Sequence, residues 1–224
     1  MNCDAIIRKL KSMGSEKDRI GMARYGINVE KAFGVSIYKL RPFAKEIGKD
    51  HGLALELWKT GIHEARMLAV FIDDPAQVTE SQMESWAKDF DSWDIVDQCV
   101  AHLFDRTLFA YKKAYEWAER DEEFIKRAGF VFMAALSVHD KKADDKQFEK
   151  FFPLIKKHCT DERNFVKKAV NWAVRQIGKR NKALNKKAIK LAKDIKKIDS
   201  KAARWIASDA LRELESEKVQ KRFK

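Results

Sequence analysis

The chain has 224 residues, of which 45% are apolar and 36% charged, with only 9 Gly and 3 Pro. That length suits one domain, expected to span residues 1–224 with 218–224 as a frayed tail, and a breaker-poor, Lys- and Glu-rich composition favours helices over sheets. The net charge of +12 excludes an evenly mixed surface: residues 151–224 hold 22 basic and 8 acidic residues, a balance of +14, which leaves −2 for residues 1–150.

This asymmetry points to a polyanionic partner, either nucleic acid or an anionic membrane surface, with a merely solvated basic tail as the plain alternative. The 3 cysteines are odd in number and form no C-x-x-C, which argues against a disulfide framework. The opening MNCDAIIRKLKSMG lacks the apolar core of a secretory signal. The longest apolar run, AGFVFMAAL at 128–136, is too short to span a bilayer. The expectation is a soluble, cytoplasmic protein that does not enter a membrane. Cys99 and His102 lie one helical turn apart, but two ligands do not make a metal site, so neither metal nor cofactor is expected.

In chain order, Ile6, Leu10 and Met13 recur at helical spacing and mark a first helix. Ser36 caps a second, running through Leu40, Ala44 and Ile47. Asp73-Asp74-Pro75 reads as a turn, and Thr79-Glu80-Ser81-Gln82 as a capping box that opens another helix. DSWDIVDQCVAHLF follows, and then Asp121 leads into a long apolar helix ending near His139. Residues 140–146 read as a polar turn. No strand alternation persists, so about a dozen helices with short connections are expected.

Several of these helices resemble one another. HEARMLAVFI (63–72), FIKRAGFVFMAAL (124–136), NFVKKAVNWAVRQIG (164–178) and SKAARWIASDALREL (200–214) each place a charged residue one turn in, ahead of small and apolar residues. Arg66, Arg127, Lys168 and Arg204 fill this slot, and Asp97 fills it in DSWDIVDQCVAHLF. Successive slots are 31, 30, 41 and 36 residues apart, the spacing of stacked helical hairpins. The expected fold is an all-α, curved α-solenoid of HEAT-like repeats whose slot residues line one face.

An acidic, aromatic cluster, FDSWDIVDQC (90–99), interrupts this basic pattern. Trp93 and Asp97, four residues apart, share a helix face, as do Lys168, Trp172, Arg175 and Lys179. Asp91 and Asp94 read as a cap and a first-turn charge. A groove combining two tryptophans, one aspartate and several cations suits cleavage of a glycosidic bond. A carboxylate stabilises the sugar cation and orients water, aromatic faces stack on the sugar, and cations hold phosphates. A leaving base that is already positively charged needs no general acid. Tryptophans at helical spacing also serve as core anchors, and the residues alone leave both roles open for Trp93 and Trp172.

Taken together, AFGVSIYKLRPFAKEIGKDHGLALELW, GIHEARMLAVFIDDP, FDSWDIVDQC, EFIKRAGFVFMAALSVHDK and NFVKKAVNWAVRQIG resemble the DNA alkylation repair family of AlkD-like DNA glycosylases, over about residues 17–215. The resemblance implies a HEAT-like solenoid that cradles duplex DNA and excises N3- and N7-alkylated purines without drawing the base into a pocket. It implies that Asp97 is the catalytic carboxylate, Trp93 and Trp172 contact the deoxyribose, and Arg127 is the active-site arginine. The expected partner is double-stranded DNA, alkylated or branched, bound by a nucleoid-associated monomer. Related branches bind branched DNA without excising bases, and this non-catalytic binding is the alternative reading. The chain departs from the family in having only one or two helices before AFGVSIYKL.

The segment KRNKALNKKAIKLAKDIKK (179–197) forms an amphipathic helix on Ala183, Leu184, Ala188, Leu191 and Ile195, with a cationic face suited to phosphates. The candidate DNA-binding set is Lys168, Arg175, Lys179, Arg180, Lys182 and Lys186, with Arg66 and Arg204 at the rim. No glycine-rich phosphate loop and no Ser–His or Cys–His nucleophile is present in the sequence.

Overall fold

The computed structural model describes residues 1–223, and among these every regular element is helical. Two compact units divide the chain, Met1–Phe109 and Ala110–Lys224. The first holds α1 (Cys3–Met13), α2 (Glu16–Arg24), α3 (Ile37–Ile47), α4 (His51–Lys59), α5 (His63–Ile72), α6 (Glu80–Lys88) and α7 (Trp93–His102). The second holds α8 (Ala110–Ala118), α9 (Glu123–His139), α10 (Asp145–Glu149), α11 (Phe152–His158), α12 (Asn164–Gly178), α13 (Lys182–Lys196), α14 (Lys201–Leu214) and α15 (Glu217–Gln220).

Helices with slot residues pack side by side within each unit, α5 on α7 in the first, and α9 on α12 and α12 on α14 in the second. Each slot residue is the fourth or fifth of its helix, so the sequence similarity is a similarity of register. Two helices precede Ala32, as expected. The second of them, α2, escapes the periodicity because it buries no residue and so has no apolar stripe. Its start is fixed by Ser15, whose side chain accepts from the Asp18 amide. Thr79 caps α6 in the same way through the Gln82 amide, whereas Ser36 occupies the cap position of α3 without a side-chain hydrogen bond.

One buried carboxylate organises the first unit. Glu64, in the first turn of α5, is fully buried. Its Oε1 accepts from the amides of Gly34 (2.7 Å), Val35 (3.0 Å) and Phe33 (3.1 Å), and Oε2 accepts from Phe33 again at 3.0 Å. Gly34 adopts φ +78°, and a Cβ there would lie 2.1 Å from the Ser15 carbonyl oxygen, so the loop closes on its anion only with glycine. A second buried carboxylate, Asp73, accepts from Gln82 (2.6 Å) and the Asp74 amide (2.8 Å), and pairs with His51 Nδ1 at 2.6 Å. Between these anchors Trp58 and Trp86 stack with ring centroids 3.9 Å apart and planes 2° from parallel. Both rings are 3% exposed, and each such buried aromatic contributes about 1.5–3 kcal/mol.

The second unit is closed by small residues and buried amides. A Cβ at Gly129 would lie 2.3 Å from the Ala118 nitrogen, so glycine lets α9 rest directly on the end of α8. Asn171 donates to the Ile206 carbonyl (3.2 Å), joining α12 to α14. Asn185 donates to the Gly178 carbonyl (2.9 Å) and accepts from Gln220 (3.1 Å). The buried face of α13 therefore contains Asn185 where the sequence suggested Ala183, which is exposed. Of the tail expected to fray (218–224), residue 224 lies outside the described residues. Glu217–Gln220 and Lys221–Phe223 are helical turns, Val219 is buried, and Gln220 also donates to the Leu214 carbonyl at 2.6 Å.

Glu64→Ala strands three loop amides and is expected to destabilise the protein by on the order of 3 kcal/mol in urea unfolding. Glu64→Gln keeps an accepting oxygen and should cost clearly less. Equal losses from the two variants would contradict the anchoring role.

Candidate functional site

On α7, Trp93 is the first residue and Asp97 follows one turn later, and both are half-buried. The indole N–H of Trp93 donates to the Tyr25 carbonyl at 3.0 Å, which fixes the ring against the turn after α2. The helix is seated by contacts the sequence hid. Ser92, its N-cap residue, uses its hydroxyl to accept from the Asn28 amide (2.7 Å) and makes no cap bond of its own. Asp91 accepts from the Asn28 side chain at 3.1 Å. Asp94 pairs with His63 Nε2 at 3.0 Å. The aspartates flanking Trp93 are thus tertiary anchors, more than the cap and dipole charges their positions suggested.

Arg66 belongs to the same support. Its guanidinium lies over the Trp58 ring (5.1 Å), donates to the Asp89 carbonyl (3.0 Å) and pairs with the Asp89 carboxylate (3.5 Å). With its side chain 12% exposed, it secures the turn between α6 and α7.

Beside Trp93 lies a cavity of about 330 Å³, lined by apolar residues including Leu40 and Met67 and by Ser36, His63, Asp94 and Gln98. The His63 side chain is 6% exposed. Burial disfavours its charged form, but the hydrogen bond His63 donates to Asp94 and the negative field of Asp94, Glu64 and Asp91 outweigh this and raise its pKa above 6.5. Gln98 Oε1 is buried and accepts no hydrogen bond among the described residues.

In the second unit, Trp172 is half-buried on α12, one turn after the exposed Lys168. Arg127 is 6% exposed, and its Nη1 donates to the Phe165 carbonyl at 2.7 Å, tying α9 to the first turn of α12. Arg175 pairs with Asp209 (3.0 Å) and Glu213 (2.9 Å), and Lys179 with Glu213 (2.6 Å), all between α12 and α14. Arg180 donates to the carbonyls of Ser137 (3.0 Å) and Ala143 (2.9 Å), stacks on Phe148 (4.3 Å) and is 10% exposed. Arg204 is half-exposed and paired with Asp199 at 2.8 Å. Lys168, Lys182 and Lys186 are exposed, with no ion pair among the described residues.

The candidate cations thus divide into three groups, with the half-exposed Arg204 on Asp199 apart from them. Arg66, Arg127 and Arg180 are structural donors to carbonyls, Arg175 and Lys179 are held by carboxylates, and the lysines of α13 together with Lys168 face solvent. Cys99 is fully buried, and burial pushes its thiol well above its usual range, so it is chemically quiet.

Sequence reasoning missed His63, Asp94 and Gln98 as one group. A signal was present. His63 and Asp94 are separated by the same 31 residues as the slots Arg66 and Asp97, so equal register on adjacent repeats already paired them.

The raised His63 pKa makes the protonated pair a stabilising feature, fully present below pH 6.5 and lost as pH rises through the folded-state value. The urea midpoint is therefore expected to fall as pH rises from about 6 to about 9, and Asp94→Asn should flatten that dependence.

A family model described as DNA alkylation repair enzyme matches residues 6–214. The fold is also that of a solved structure described as "A new family of proteins related to the HEAT-like repeat DNA glycosylases with affinity for branched DNA structures", with a TM-score of 0.79 and 23% identity over 95% of each chain. No curated protein sequence matches the chain at a significant level.

Proposed function

The chain belongs to the DNA alkylation repair enzyme family, and on that premise we propose that it is a monofunctional DNA glycosylase releasing positively charged N3- and N7-alkylated purines from duplex DNA. One observation carries this reading. Trp58, Trp86 and Trp117 are core residues at 3%, 3% and 0% exposure, whereas Trp93 and Trp172 keep part of their rings accessible, and Trp93 sits one turn from Asp97. The tryptophans singled out beside the slots are therefore not the ones the core consumes.

In this mechanism the bond between the anomeric carbon and the base nitrogen breaks, and its electron pair leaves with the base, which departs neutral. Asp97 stabilises the positive charge left on the sugar and orients a water. The water oxygen bonds to the anomeric carbon, and its proton passes to Asp97 or to solvent. Trp93 gives ring surface to the sugar, and Trp172 is assigned as a further aromatic contact to the bound DNA. Lys168, Lys182 and Lys186 hold backbone phosphates, while Arg127 acts from beneath by fixing the start of α12. No lysine is assigned as a Schiff-base nucleophile, so the strand stays intact.

The second reading is a non-catalytic binder of duplex or branched DNA. The solved structure that shares this fold favours it, since that protein is described as having affinity for branched DNA.

Alkylated duplex DNA separates the two. The glycosylase reading expects release of 7-methylguanine or 3-methyladenine, reduced about 10²- to 10³-fold in a folded Asp97→Asn variant. No release together with tight binding of four-way junctions selects the binder. In either case, replacing Lys168, Lys182 and Lys186 by Ala should weaken DNA binding and lower the salt slope by about one per lost phosphate contact. An unchanged slope would remove these lysines from the interface.

A further inference from the structure

The proposed reaction uses Trp93 and Trp172, yet the most exposed tryptophan of the chain is Trp205, in the second turn of α14, at 42%. The helix does not need this ring for its own seating. Ala202, Ala203, Ile206 and Ala207 are fully buried and supply the apolar face that packs on the neighbouring helices.

The surroundings of Trp205 are cationic. Lys167, on α12, places its Nζ 5.3 Å from the ring centroid. Lys201, Trp205, Ser208 and Arg212 recur at i, i+4, i+7 and i+11 and are all exposed, so they form one water-facing stripe along α14. Lys201 has no ion pair among the described residues, and Arg212, with its side chain 79% exposed, is paired with Asp209. The carboxylates at the start of α14 are engaged elsewhere. Asp199 holds Arg204 at 2.8 Å, and Glu162 accepts from the Ala202 amide at 3.0 Å and the Ser200 hydroxyl at 3.3 Å. A ring flanked by cations fits a partner that alternates flat π surface with negative charge. An acidic peptide satisfies the cations but not the ring, and a membrane surface calls for a wider apolar face than one tryptophan. A nucleic-acid strand supplies both, one phosphate for each base, but only where the bases are unpaired, because inside a duplex each base face is covered by its neighbours in the stack.

We propose that the Trp205 face of α14 is a stacking platform for unpaired bases of a nucleic-acid strand, with Lys167, Lys201 and Arg212 beside the flanking phosphates. The platform involves none of the residues assigned to the reaction, so it serves a glycosylase and a non-catalytic binder alike.

The test is fluorescence anisotropy of the full-length protein with a thymidine decamer and with an abasic decamer, which carries the same phosphates and no bases. Wild type is expected to bind the thymidine strand about tenfold more tightly than the abasic one. Trp205→Ala, checked for folding by circular dichroism, should lose that difference and still bind a blunt duplex as wild type does. Trp205→Phe keeps an aromatic face and should keep most of the preference. Lys201→Ala should lower the salt slope for the thymidine strand by about 0.7. A uridine decamer in parallel assigns the platform to DNA or RNA, whichever strand binds more tightly. Equal binding of the thymidine and abasic strands by wild type, no binding of either, or an unchanged preference in folded Trp205→Ala would overturn the proposal. So would self-association that Trp205→Ala abolishes, in the absence of strand binding, since it gives the face to a second copy of the chain. Failure of wild type to release alkylated bases would sink the glycosylase reading and leave this measurement unaffected.

Discussion

The first unit is built around a carboxylate that never meets water. Glu64 gathers three consecutive loop amides, Phe33 to Val35, that no helix or strand could satisfy. Charge-assisted hydrogen bonds to buried groups are worth about 1.5–3 kcal/mol each, well above the 0–1 kcal/mol of exposed ion pairs. Its neighbours in the same turns of α5 do related work. His63 reaches Asp94 on α7, and Arg66 reaches the turn that precedes α7. One stretch of four residues thus sets the loop, the entry to α7 and the seat of Trp93, and every distance around Asp97 inherits that placement.

The second unit solves the same problem with the opposite sign. Its internal anchors are donors. Arg127 serves the start of α12, Arg180 the end of α9, Asn171 the middle of α14 and Asn185 the end of α12. The carbonyls of Ser137 and Gly178 lie in the last turns of α9 and α12, where a bare helix end would leave them unpaired, and those of Phe165 and Ile206 gain a second donor. Arginine suits this task because its planar fork serves two acceptors at once, as Arg180 does for Ser137 and Ala143.

Helix periodicity made most of the fold legible, because apolar residues at three- and four-residue spacing report burial directly. The equal register of Arg66, Asp97, Arg127, Lys168 and Arg204 survives as adjacent packing of their helices within each unit. What the sequence hid is partnership across 30 to 40 residues. Glu64 and Phe33 are 31 apart, and Asn171 and Ile206 are 35 apart. A buried acid or arginine looks like a surface one until its carbonyl or amide is known. The same limit applied to the tryptophans, since spacing alone did not separate Trp58 and Trp86, which stack in the core, from Trp93 and Trp172. Helix α2 stayed invisible for the converse reason, having no buried face to leave a period.

Arg175, Lys179 and Arg212 share two carboxylates, Asp209 and Glu213, so this cluster on α12 and α14 keeps one positive charge in excess. Lys168, Lys182 and Lys186 by contrast are exposed, with no ion pair among the described residues. Under the proposed DNA-binding role the two sets would behave differently: the exposed lysines would meet a phosphate directly, while Arg175 and Lys179 would do so only by giving up a carboxylate partner.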